Sequence, residues 1–321
     1  MTLRVPMMRA VLLTLLLGIV VSGDWSAMKA QSAFSLIQVV PDLYFYYTGG
    51  GSNSTVLITE EGVLIVDSQG NRRAAEALLA EIRKKTAAPI KWVVNGQDHG
   101  DHYLGNAVFK REGAVIVAEA ETARIIGRNY EYELEWRGLD PARAGEHVIP
   151  DVTFRDRMTI RLGGREVILF HIGAGQNPGD TIVLFPHARA AYPSGALAPK
   201  SWSSTAYTSS LDGWIAVLEK IKALDVDTYL PGHAHMVTDR AEIDEEIVFL
   251  REIKAAVESA IAKGLTAEET AKALTFERYA SWRGSNPARR ERNIRNVHYL
   301  LSTGRPIYFD YLDGRTTIKP Y

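Results

Sequence analysis

An α+β protein is what the order of elements in this chain predicts, on three observations. Short apolar runs of the β type crowd residues 36–66 and read as antiparallel pairs. Helical patterns and further β-type runs then take turns up to about residue 230, and from about residue 241 the chain reads as helical. No repeat, low-complexity tract or linker interrupts residues 31–321, which are therefore read as a single domain.

Leu36 to Val40 and Leu43 to Tyr47 are β-type runs parted by Pro41-Asp42, and Gly49 to Ser54 makes a loop. Thr55 to Thr59 and Val63 to Val66 form a hairpin turning at Glu60-Glu61-Gly62. Asn71 then caps a helix over Arg72 to Lys85, in which Ala75, Leu78, Leu79 and Ile82 recur at helical spacing. Trp92-Val93-Val94 reads as a buried strand, followed by a short helix over Leu104 to Arg111, a strand over Ala114 to Ala118 and a helix over Glu121 to Arg137. Strands are expected at Thr153 to Leu162, Arg165 to His171 and Thr181 to Phe185. Ala190 to Leu197 holds one more with its exit loop, ahead of a helix over Leu211 to Ala223 and a strand at Thr228 to Leu230. Helices follow at Ala241 to Lys263, Thr266 to Leu274, where Thr266-Ala267-Glu268-Glu269 spells a capping box, and Ala288 to Leu301. Pro306 to Tyr311 reads as a closing strand.

Composition narrows the function classes. With 46% apolar residues, and 37 basic side chains against 38 acidic, the chain has a core-forming composition and no charge excess that would draw nucleic acid or a membrane surface. A small-molecule substrate is the expectation; oligomeric state leaves no mark. Residues 1–30 stand apart: Arg4 and Arg9 precede an apolar run from Ala10 to Val21, and small residues follow. That pattern predicts a signal peptide cleaved after Ala30, leaving no integral membrane segment. Without a cysteine there is no site for a disulfide or a lipid, so a soluble periplasmic or secreted protein is expected.

Three β-type runs end in polar groups suited to metal binding or proton transfer. They lead into Gln97-Asp98-His99-Gly100-Asp101-His102, into His171 to Asp180, and into Pro231-Gly232-His233-Ala234-His235. This order, with Leu64-Ile65-Val66-Asp67, Gly105-Asn106 and Pro178-Gly179-Asp180-Thr181, resembles the metallo-β-lactamase superfamily over about residues 35–240. The resemblance implies a four-layer αββα sandwich with a metal site at one edge, here with a helical extension from about 241.

It also implies where the ligands fall. The family's second metal position corresponds to Asp101, His102 and His233, all present. Its first position corresponds to Gln97, His99 and Gln176, so two imidazoles are replaced by amides, which bind zinc weakly; the bridging carboxylate corresponds to Ala196. One zinc ion is thus expected rather than two, with His99 a lesser ligand candidate and Asp101 placed to orient water. Asp67 and Asp180 correspond to positions that orient ligands, and Gln97 and Gln176 are expected beside the metal instead of on it. Asp98 is expected to face solvent, and Lys200, Ser201, Trp202 or Tyr207 to supply a group that stabilises developing charge. The reading is an exported metal-dependent hydrolase of an ester, lactone or amide-type bond; the alternative is a metal-free, inactive member that serves as a binding protein.

Overall fold

The computed structural model describes residues 34–141 and 146–320; the expected signal peptide lies outside them. Four strands, β1 (Ser35–Val40), β2 (Leu43–Tyr47), β3 (Ser54–Thr59) and β4 (Gly62–Val66), form an antiparallel meander. From β4 onward the same sheet becomes parallel. Helix α1 (Arg72–Arg83) carries the chain to β5 (Ile90–Asn95), and the short helices α2 (Gly100–Tyr103) and α3 (Asn106–Arg111) carry it to β6 (Val115–Glu119). The long helix α4 (Ala120–Arg137) leads on towards β7 (Val152–Phe154) at the sheet's far edge. Parallel neighbours need such crossovers, and the polar ends of β4 and β5 are thereby aimed at one edge.

A second sheet runs β12-β11-β10-β9-β8, built from β8 (Arg157–Leu162), β9 (Arg165–Phe170), β10 (Ile182–Phe185), β11 (Ala190–Tyr192) and β12 (Thr228–Tyr229). Its outer helices are α5 (Leu211–Lys222), α6 (Ala241–Ala262) and α8 (Pro287–Thr303), whose Trp214, Ile253 and Val297 share one core with Ile182 and Ala191. On the first sheet, Leu78 and Ile82 of α1 and Phe109 of α3 pack against Val56, Ile65 and Val93. Helix, sheet, sheet, helix is the expected sandwich. Among the described residues no helix is long and apolar enough to cross a membrane.

The structure corrects three expectations. The run Thr153 to Leu162 is two strands, because the chain bends at Arg155-Asp156 and leaves the first sheet for the second. Asp101 and His102 stand on a helical turn, α2, which precedes the helix expected at 104–111. Asn286 and Thr266 cap α8 and α7 (Ala267–Ala273), and Pro306 to Tyr311 is helical, within α9 (Ile307–Leu312) and its N-cap Pro306. Its aromatics favour a strand by propensity, but Tyr308 is buried between Tyr132 and Tyr207, ring centroids 5.0 and 3.9 Å away.

Gly105 shows how tightly the metal-loop region is seated. A Cβ there would lie 1.9 Å from the Ser68 carbonyl oxygen and 2.7 Å from Ala75 Cβ, neither of them a side-chain end that can swing away. Gly105→Ala is expected to lower unfolding stability by about 2–3 kcal/mol, as overpacking does. The urea midpoint measures it; an unchanged midpoint would show that the turn after β4 relaxes freely.

Candidate metal centre

The segments after β4, β5 and β12 and the last residue of β11 bring together Asp67, Asp101, His102, Tyr192 and His233. His102 is fully buried and donates from Nδ1 to Asp67 Oδ2 at 2.5 Å. Asp67 is held in turn by the Gly96 N–H at 2.8 Å and by a short hydrogen bond from the Tyr192 hydroxyl. His233 donates from Nδ1 to the Gly51 carbonyl at 3.2 Å. Each ring thus has its Nδ1 proton engaged and turns an Nε2 lone pair inward.

Those two Nε2 atoms lie 3.0 Å apart, with Asp101 Oδ2 at 3.3 Å from His233 Nε2 and 3.7 Å from that of His102. Zinc bonds of about 2.0–2.1 Å in a tetrahedral array place ligand atoms roughly 3.3 Å apart. Three electron-rich atoms converging at this spacing fit a cation, and they are the one carboxylate and imidazole group of this kind among the described residues. Asp101 stays ionised: burial pushes its pKa up, but Arg137, 2.7 Å from Oδ1, and His102 outweigh that and hold it well below the usual carboxylate range. Burial also opposes charge on both rings. Asp101 and Asp67 overcome it at His102, whose pKa is raised, whereas burial wins at His233, whose pKa is lowered.

The neighbouring position is filled with amides. Gln97 donates from Nε2 to the His102 Nε2 at 2.9 Å and accepts from Asn177 Nδ2 at 2.9 Å. Loading an ion on His102 therefore requires the Gln97 amide to turn aside or to present its oxygen. Gln176 donates to the Ser204 carbonyl at 3.0 Å, and both glutamine oxygens lie against Gly195, where a Cβ would meet them at 2.3 and 2.6 Å. Asp180 accepts from the backbone and side chain of Asn177 and from Ser194, so it braces the loop that carries Gln176 and makes no contact with His102. His99 stands outside the cluster. Its ring lies on Tyr207 at 4.0 Å, its Nε2 has no partner, and burial lowers its pKa well below the usual histidine range.

Asp98 corrects an expectation. It is 1% exposed instead of solvent-facing, both carboxylate oxygens lack partners, and burial, then Asp180, pushes its pKa well up. Of the loop after Ala196, Tyr207 is a core residue and Lys200 faces Glu242 and Glu245; Ser201 lines the cleft over the cluster together with the largely buried Trp202. That cleft, about 200 Å³, is also walled by Trp136 and by arginines absent from the sequence-based candidates: Arg137, Arg283, Arg289 and Arg292. The available signal was the arginine-rich start of α8, Ala288-Arg289-Arg290-Glu291-Arg292.

The profile of the metallo-beta-lactamase superfamily matches residues 47–233, and the chain belongs to that superfamily, a hydrolase-type family. Its sequence is 25% identical over 250 residues to a linear primary-alkylsulfatase of Pseudomonas sp. (strain ATCC 19151), an alignment covering 65% of this chain and 47% of that protein. It is 26% identical over 229 residues to the 2,4-dinitroanisole O-demethylase subunit alpha of Nocardioides sp. (strain JS1661), covering 68% and 64%. The chain thus spans about half to two thirds of these curated relatives. Among solved structures, a stereoselective inverting sec-alkylsulfatase from Pseudomonas sp. superposes with a TM-score of 0.65 at 15% identity, over 89% of this chain and 52% of that one. A metallo-beta-lactamase from Pontibacter korlensis gives 0.57 at 20%, over 68% and 98%.

Proposed function

We propose that this chain is an exported, mononuclear zinc hydrolase that cleaves an ester, lactone or amide-type bond, with Asp101, His102 and His233 holding the ion. The observation that carries the reading is the convergence of two Nε2 lone pairs and Asp101 Oδ2 at zinc-ligand spacing, with both Nδ1 protons already engaged. Zinc held there supplies Lewis acidity, lowering the pKa of water at the site to about 7 and polarising the bond under attack.

The protein's own groups do the rest. Asp67 fixes the His102 tautomer, the Gly51 carbonyl does so for His233, and Arg137 pins Asp101 by its outer oxygen. Asp101, at the floor of the cleft, would orient water beside the ion. Amides at Gln97 and Gln176 and a methyl at Ala196 leave a second ion without strong donors. The signal-like sequence of residues 1–30 and the absence of cysteine support the exported location.

Metal analysis of the purified protein tests the reading. One equivalent of zinc, before or after reconstitution, is expected. A protein that neither retains nor regains zinc, iron or manganese would instead be the metal-free binding protein.

A further inference from the structure

Arg283, Arg289 and Arg292 share one wall of the cleft above Asp101 and His233, and all three are partly buried. Arg289 and Arg292 lie one turn apart on α8, and Arg283 is on the loop leading into it, where it donates to the Gly50 carbonyl. Among the described residues, none of the three has a carboxylate within 4.0 Å. Arg137 differs: Asp101 and Glu133 already neutralise it, at 2.7 and 3.1 Å.

Such a group is costly as it stands. Partly buried guanidinium groups normally carry partners, and here they also repel one another: burial, then Arg289, pushes both Arg283 and Arg292 below the usual arginine value. Asp101 is the sole acid among the residues lining the cleft. A second observation points the same way. His99, 95% buried by its 5% exposure, lines this cleft with Nε2 unpartnered.

We propose that Arg283, Arg289 and Arg292 form a receptor for an oxyanion on the substrate, so that the natural substrate is a small anionic ester whose charged head docks beside the Asp101, His102 and His233 cluster. Planar guanidinium forks match sulfate, phosphate and carboxylate oxygens in pairs, which lysines do not. The proximity follows from the backbone: Arg283 binds the Gly50 carbonyl and His233 the next one, Gly51. A cleft of about 200 Å³ falls below the roughly 300–1,000 Å³ of drug-sized sites, which suits a compact head group. The receptor adds the substrate class to the proposed hydrolase reading, yet it does not depend on the metal.

Titration calorimetry on the full chain separates the two. Sodium sulfate, inorganic phosphate and butyrate are each titrated at constant ionic strength into metal-stripped and zinc-loaded protein, with metal content measured alongside. Saturable binding of at least one anion to the stripped protein is expected, weakened at least tenfold by Arg289→Gln and by Arg292→Gln and less by Arg289→Lys; the tightest of the three names the charged head group. Circular dichroism establishes that the variants fold. No saturable binding in either form, or binding that folded glutamine variants leave unchanged, overturns the receptor even where zinc binds at one equivalent. Failure of zinc binding with anion binding intact overturns the metal reading alone.

Discussion

Asp101→Ala is expected to fold, to drop from about one equivalent of zinc to near none, and to lose hydrolytic activity by at least about 100-fold. Its carboxylate meets His233 through Oδ2 and Arg137 through Oδ1, so removal deletes the only anionic donor of the cluster and leaves two imidazoles. Secondary structure should survive, because α2 is held from elsewhere: the Gly100 N–H donates to Glu133 and the Ser68 N–H to the His102 carbonyl. Arg137 keeps its Glu133 partner and so is not left as a lone buried charge. Metal content, circular dichroism and steady-state kinetics on one preparation check the prediction. A folded variant with unaltered zinc and activity would remove Asp101 from the site.

The parts of this arrangement that a reader of the sequence can find are those written locally. Strands β3 to β6 are short apolar runs between turn residues, and the ligand set Asp101, His102 and His233 follows strand ends, where polar groups interrupt such runs. Asn71 caps α1 through Ala74, and Thr266 and Glu269 form the capping box of α7, because caps are encoded within four residues.

 The Glu269 carboxylate returns the Thr266 bond, accepting from that residue's N–H at 2.9 Å.

What stayed hidden depends on side chains meeting across long stretches of chain. Arg283, Arg289 and Arg292 reach the cleft only because α8 packs on α6 and beside the second sheet, and no spacing rule connects position 289 to position 233. Asp98 sits among charged neighbours in a polar loop, yet the β5 exit turns it inward, where burial disfavours its charge. Propensity misled at α9, since Tyr308 and its aromatic neighbours are set by packing against α4 and Tyr207. The amides at Gln97 and Gln176 were visible as types, but their bonds to Asn177 and the Ser204 carbonyl were not.

Glu246 gives the largest expected effect on stability. It lies on α6 at 2% exposure, and its carboxyl accepts from the Ala198 N–H at 3.0 Å, bracing the loop that follows Ala196. Burial raises its pKa from 4.5 to about 8, only partly offset by that hydrogen bond. Below pH 4.5 the carboxyl is protonated in folded and unfolded chains alike and contributes no pH dependence. Between 4.5 and about 8 the folded protein binds the extra proton, so stability falls as pH rises, by about 1.4 kcal/mol per unit where the proton difference is complete. Above pH 8 the folded protein carries a buried carboxylate and the whole loss amounts to on the order of 5 kcal/mol. Glu246→Gln keeps an oxygen for the Ala198 N–H and cannot ionise, so it should remove this slope. Urea unfolding of both proteins at pH 5 and pH 9 isolates the effect, because every other titrating group cancels in the comparison. The variant should lose less stability between the two values by on the order of 4 kcal/mol; equal losses would show that Glu246 ionises in the folded protein much as it does in the unfolded chain.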